Sequence, residues 1–307
     1  MNEDRACWSD FYKFSLKKRK LIVSKLFDKV SFSFSPQKIS LIKSGKRSQC
    51  FAMSDGKTKI FVKLFLDKEQ HNLAKKEFNQ TKILRKKVPK IIAEPLFVSE
   101  KEGLFISSFI EGVRGTEVIQ LDKCVADQLY DIFEKITQLK YEKITNFIDR
   151  EWESRKEYLK NLLEDGFQKG LINKNQKKGF CIYFNKYSEE INIQHQNYSI
   201  VLGDFSMRNI LFDDKKATKI VGIFDFEYNT SGDSYDNLII FELMIRSLIK
   251  KIPFCSLFDY DILSKKRREM ALVAQSLKIL CSDDSKELKQ IKSEFINKLL
   301  ISEMRGT

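Results

Sequence analysis

The sequence predicts an α+β protein in which a small antiparallel sheet comes first and a larger, mainly helical part follows. Two observations carry this. Between residues 39 and 65 apolar side chains recur with the period of strands, and the Asp55-Gly56 pair within that stretch marks a tight hairpin, because glycine takes positive φ at little cost. From residue 116 onward the spacing becomes that of amphipathic helices, interrupted by one short-strand region between 198 and 227 that is punctuated by Asp and Asn.

Composition narrows the class. The 307 residues are enough for one two-part enzyme or two ordinary domains, with ample chain to bury cores. The balance of 55 Lys and Arg against 42 Asp and Glu gives +13, an excess that suits nucleic acid, an anionic membrane surface or a phosphorylated substrate. Acids are interleaved with the bases, so a solvated basic surface is the first reading and nucleic-acid binding is not expected. Six cysteines stand singly with no Cys-x-x-Cys, and there are only two His. That argues against structural zinc and suits reduced thiols in cytoplasm. No apolar run approaches the roughly eighteen residues of a membrane span, and the first ten residues are mostly polar, so neither a span nor a leader is expected.

In chain order, residues 8–30 read as one amphipathic helix or two short ones, interrupted by the basic run at 17–20. Strands are expected at 39–43, 49–53 and 58–65, the last two joined by the Asp55-Gly56 turn. Lys63 stands between Val62 and Leu64 on an otherwise apolar strand. Such a lysine either snorkels from an edge or has an anionic partner. A polar amphipathic helix is expected over 68–87, with Leu73, Phe78, Ile83 and Leu84 on its buried side and Pro89 ending it. Glu77, fourteen residues after Lys63, and Glu69 both lie on it. Strands at 96–98 and 104–109 follow, and Gly112 and Gly115 mark a boundary. Helices are expected over 116–140, 149–169, 173–190, 235–249 and 259 to the end. Trp152, Tyr158, Phe180, Tyr183, Phe184 and Tyr187 on these helices are either core or pocket lining.

The informative stretch runs from Leu202 to Glu227. Asp204 and Asn209 bracket a short loop between apolar strands, and Asp225, sixteen residues after Asn209, ends the next strand. An isolated Asp-x-x-x-x-Asn is ordinary turn chemistry. With apolar flanks and a second Asp at this interval, it has the make-up of a phosphoryl-transfer site: one Asp as proton acceptor, an Asn and an Asp for magnesium.

The stretch resembles the catalytic and metal-binding loops of the aminoglycoside phosphotransferase and choline kinase family. Leu202-Gly203-Asp204, Arg208-Asn209-Ile210-Leu211-Phe212, Phe224-Asp225-Phe226-Glu227 and Gly232-Asp233-Ser234-Tyr235-Asp236 match its pattern in order. The resemblance covers roughly residues 39 to 245. It departs at Leu202, where the family has a His that orients the loop. It implies a two-lobed protein-kinase-like fold, with residues 1–110 as the nucleotide-covering lobe and 111–307 as the catalytic and substrate-binding lobe.

It also implies roles. ATP and Mg2+ are the expected cofactors, with Asp204 as the catalytic base and Asn209 and Asp225 as metal ligands. Lys63 would grip the α and β phosphates and pair with Glu77, for which Glu69 is the competitor. Backbone N–H groups of the 44–48 loop with the Ser44 or Ser48 hydroxyl would hold phosphate oxygens, and backbone groups from Ser108 to Ile110 would meet adenine. Asp233 and Asp236 are expected to be structural. The expected partner is a small-molecule hydroxyl acceptor: an aminoglycoside, an amino-alcohol or a sugar-like compound. The alternatives are a kinase-fold nucleotide binder without catalysis, suggested by Leu202, and a basic nucleic-acid or membrane-surface binder, suggested by +13.

Overall fold

A computed structural model of the chain describes residues 14–44, 48–118, 123–141, 144–145, 151–152, 154–188, 198–203, 205–233, 236–237, 239 and 262–281. Its elements begin α1 (Leu16–Lys29), β1 (Lys38–Ser44), β2 (Ser48–Ser54), β3 (Lys59–Phe65), α2 (Asn72–Lys87), β4 (Pro95–Ser99), β5 (Leu104–Ser108) and β6 (Val113–Arg114). Next come α3 (Lys123–Thr137), β7 (Lys140–Tyr141), β8 (Ile144–Thr145), β9 (Glu151–Trp152), α4 (Arg155–Gln168) and α5 (Lys174–Lys186). The chain continues with β10 (Tyr198–Val201), β11 (Ile210–Phe212), β12 (Ile220–Ile223), β13 (Thr230–Asp233) and α6 (Ile262–Leu280). Packing groups residues 1–125 with 208–228 as one unit and 126–207 with 229–307 as another. The expected division at 110/111 is therefore a proposal about roles, and the packing units are drawn differently, because β6 pairs with β11.

The first unit is built on an antiparallel sheet of order β1-β2-β3-β5-β4. Its central hairpin turns where Asp55 Oδ1 accepts from the N–H groups of Lys57 and Thr58 at 2.9 and 2.7 Å and Gly56 takes φ +95°. The two-residue period then sorts β3. Ile60, Val62 and Leu64 join Val23, Leu26 and Phe27 of α1 in one cluster, while Phe61 and Phe65 pack with Leu73 and Ala74 of α2. Lys63 shares the second face. In α2 the buried stripe is Leu73, Glu77, Thr81 and Leu84 at helical spacing, so Glu77 points inward.

The helix expected over 68–87 starts later, at Asn72, after a 3-10 turn over Lys68–Gln70 whose Asp67 side chain accepts from Glu69 N–H. Glu69 is thus exposed and outside the α-helix. A three-stranded sheet of order β12-β11-β6 completes the unit. Gly112 is required there, since a Cβ would lie 2.8 Å from Val221 Cγ2 and 2.9 Å from the Phe212 carbonyl.

The second unit combines a sheet of order β7-β10-β13-β8-β9 with a helical core. Leu159 and Leu163 of α4, Phe180, Tyr183 and Phe184 of α5, and Met270, Val273 and Leu277 of α6 form that core with Tyr187. Tyr158 packs against it, so most of the aromatic residues read as core or pocket are core. Arg155, at the start of α4, is buried and donates to Asp233 at 2.7 Å and Asp236 at 2.5 Å. Burial opposes its charge, and the carboxylates of Asp236 and Asp233 outweigh that, holding its pKa above the ordinary arginine value.

The strands β6 to β9 and β13 were not expected; β6 to β9 are two residues each, too brief for a periodicity to register. The helix expected from 116 begins at Lys123, and that expected from 149 begins at Arg155, where the Ser154 hydroxyl accepts from Glu157 N–H at 3.1 Å. Glu151 therefore lies in β9 rather than on a helix with Glu157, Glu164 and Asp165. The helix expected over 235–249 and most of that after 281 lie outside the described residues. Among the described residues no helix is long and apolar enough to cross a membrane.

Candidate active site

Lys63 is the centre of the site. Strands β2 and β5 flank β3 on both sides, so the side chain cannot reach solvent from an edge, and only 2% of it is exposed. Its Nζ lies 2.9 Å from Glu77 Oε2, 2.9 Å from Glu227 Oε2, and is hydrogen-bonded to Asp225 Oδ1. Burial works against the ammonium, but the charges of Asp225, Glu227 and Glu77 outweigh it and hold its pKa well above the ordinary lysine value. The same burial pushes the carboxyls of Glu77 and Glu227 up, against the pull of Lys63. One ammonium thus faces three carboxylates.

Those three carboxylates each place an oxygen within 4.8 Å of the others. Glu77 Oε2 and Glu227 Oε2 are buried, each at ion-pair distance from Lys63. A set of hard oxygen donors with surplus negative charge fits a divalent cation such as magnesium.

Asn209 and Asp225 approach one another through strand register. Ile210 pairs with Ile223, and Phe224 N–H donates to the Asn209 carbonyl at 3.1 Å, which puts the buried Asn209 beside the residue preceding Asp225. Asp225 takes φ +76°, the left-handed conformation that Asp tolerates better than most residues. This turn after β12 carries its carboxylate to Lys63.

The other expected positions divide. Ser48 lies in β2 opposite Phe65, while 45–47 and Asp204 lie outside the described residues, as does the Ser44 side chain. Ser108 is engaged within the fold: its N–H donates to the Glu94 carbonyl and its Oγ accepts from Glu94 N–H, each at 2.8 Å. Phe109 N–H donates to the Lys59 carbonyl at 3.2 Å. The amides of Ser108 and Phe109 are thus both engaged within the first unit. Arg208 is exposed. Asp233 and Asp236 meet in their shared partner Arg155. Sequence reasoning gave no role to Glu227, whose signal was its place two residues beyond Asp225 in an apolar run. Arg155 carried no signal at all.

The model of the phosphotransferase enzyme family matches residues 38–235. The chain belongs to this family. No curated protein matches it in sequence. Among solved structures, a thermostable mutant of aminoglycoside phosphotransferase APH(4)-Ia is similar with a TM-score of 0.61 at 12% identity, over 92% of this chain and 98% of that one. A putative fructosamine-3-kinase from Haemophilus somnus 129PT gives 0.62 at 15%, over 91% and 96%. The ternary complex of streptomycin, ATP and APH(2")-IIa gives 0.57 at 13%, over 90% and 96%. At these identities the likeness is one of fold, and the fold is the protein-kinase-like α+β arrangement.

Within the family pattern the departing residue, Leu202, is 2% exposed. Leu202→His is expected to lower stability by about 1–3 kcal/mol, because a buried imidazole replaces a packed apolar group. A melting curve measures this, and an unchanged melting temperature would contradict it.

Proposed function

We propose that the protein is a small-molecule kinase that moves the γ-phosphate of ATP to an acceptor hydroxyl, with Mg2+ as the metal. The observation that carries this is the buried Lys63 held by Glu77 and Asp225, with Asn209 one strand register away. Lys63 holds the α and β phosphates, leaving some of its carboxylate contacts to do so. Asn209 and Asp225 would hold the metal, whose positive charge would offset the negative charge developing on the phosphate oxygens. Asp204 orients the acceptor hydroxyl and takes its proton as the oxygen bonds to the γ phosphorus and the bond to ADP breaks. Glu77 keeps Lys63 in place.

The acceptor is an aminoglycoside, an amino-alcohol or a sugar-like compound. The neighbouring fold hosts such acceptors: APH(4)-Ia has been solved with AMP-PNP and hygromycin B. Among the described residues, cysteines 50, 124, 181 and 281 form no disulfide, which suits a cytoplasmic location. Thermal shift with ATP, with and without magnesium, followed by phosphorylation of an acceptor library, tests the reading. A protein that is not stabilised by ATP under either condition and phosphorylates nothing would overturn it.

The metal assignment has its own test. Asp225→Asn should weaken magnesium-dependent ATP binding by about tenfold, since a hard cation prefers a carboxylate oxygen to an amide. Calorimetry with and without magnesium reads the difference, and an unaltered metal dependence would remove Asp225 from the site.

A further inference from the structure

The loop that carries Asp204 needs something to hold it, and the residue that departs from the family pattern, Leu202, has no polar side chain with which to help. β10, which leads into the loop, pairs with β13 from Tyr198 opposite Asp233 to Val201 opposite Thr230. On its other edge, among the described residues, β7 pairs with Tyr198 and Ser199. Beyond that point a side chain does the work of a strand. Asn237 Oδ1 accepts from Leu202 N–H at 2.7 Å, and Asn237 Nδ2 donates to the Ile200 carbonyl at 2.8 Å. The carboxamide thereby joins the two main-chain groups that flank Val201, and the residue is fully buried.

The other side of Leu202 is fixed as well, since its carbonyl accepts from Phe205 N–H at 3.3 Å. Leu202 is thus tied at both its amide and its carbonyl, immediately before Gly203 and Asp204 in sequence. The clamp is itself anchored. Asp236, the residue before Asn237, is held by Arg155 at 2.5 Å, and Asp233 by the same guanidinium at 2.7 Å. Buried charges paired in this way fix the segment independently of the loop.

We infer that Asn237 is a positioning residue for the catalytic loop, fixing through its carboxamide the main chain at Leu202 from which the loop departs. The inference rests on the phosphotransferase reading above. A base misplaced by an ångström is enough to cost a large factor in rate, so the clamp should show in turnover rather than in nucleotide affinity.

The test uses the full chain and two variants. Asn237→Asp keeps the size and the acceptor but, when ionised, has no donor for the Ile200 carbonyl; Asn237→Ser removes both bonds. Turnover is followed as ATP hydrolysis with water as acceptor, well below each melting temperature, and affinity by calorimetry with magnesium AMP-PNP. Both variants should lose about tenfold to a hundredfold in kcat with affinity within about twofold of the parent. Hydrogen exchange at the Leu202 amide should be slow in the parent and faster in the variants. Rapid exchange there in the parent overturns the inference whether or not the variants fold. So do folded variants that keep parental kcat, which leaves the kinase reading standing. A parent that neither hydrolyses ATP nor transfers phosphate removes that reading and the inference with it.

Discussion

Asp204→Ala should lower turnover at least about a hundredfold while leaving ATP affinity nearly unchanged, the scale expected when a positioned general base is removed. The reason for the split is that the carboxylate is needed when the hydroxyl attacks, whereas the nucleotide is held by other groups. Lys63, Asn209 and Asp225 all belong to the first packing unit, where the ion pair of Lys63 with Asp225 and the register of β11 on β12 position them. Steady-state rates with ATP hydrolysis or an identified acceptor, beside calorimetric affinity, measure both halves. Parental turnover in a folded variant would take the base away from Asp204.

Lys63→Met should abolish turnover and also destabilise the first unit, by about 3–5 kcal/mol, because it leaves buried carboxylates without their cation. The sign of the pH dependence identifies the cause. Glu77 and Glu227 have pKa values raised above the ordinary 4.5, so their contribution is fully present below 4.5 and is lost as pH rises through the raised values. In the parent, Lys63 offsets that loss through neutrality, because its own pKa lies well above the ordinary 10.5 and its charge disappears only above that. Without it, denaturant midpoints should fall more steeply between pH 5 and 8 than in the parent. Parallel pH profiles for the two proteins would show that the ammonium is not what balances Glu77, Asp225 and Glu227.

The sheet of the first unit was legible because its signals are local. Alternation and the Asp55-Gly56 turn place β2 and β3 to within a residue, and the same alternation puts Lys63 on the face that α2 covers. The apolar stripe of α2 separates Glu77 from Glu69, but only once the 3-10 turn at 68–70 shifts the helix start. What was not legible depends on distant partners. Arg155 looks like any helical arginine until Asp233 and Asp236, about eighty residues on, close around it. β7, β8 and β9 are two residues each, too short to carry a period, and exist because neighbours pair with them. Asn237 follows a motif without belonging to it, and its role appears only when β10 runs out of strand on one side.

The composition of the first packing unit bears on how the protein is made. Residues 208–228 supply β11 and β12, which pair with β6 and, through Ile223 N–H and the Ile91 carbonyl at 2.9 Å, with the segment after α2. They also supply Asp225 and Glu227, the counter-charges of a lysine in β3. During synthesis the five-stranded sheet emerges well before those residues do, so Lys63 has Glu77 alone for company until the ribosome has passed position 227. The charge balance at Lys63 and the pairing of β6 are therefore late events on the ribosome, and truncation between 125 and 208 should yield a nascent fragment that chaperones retain rather than a released domain.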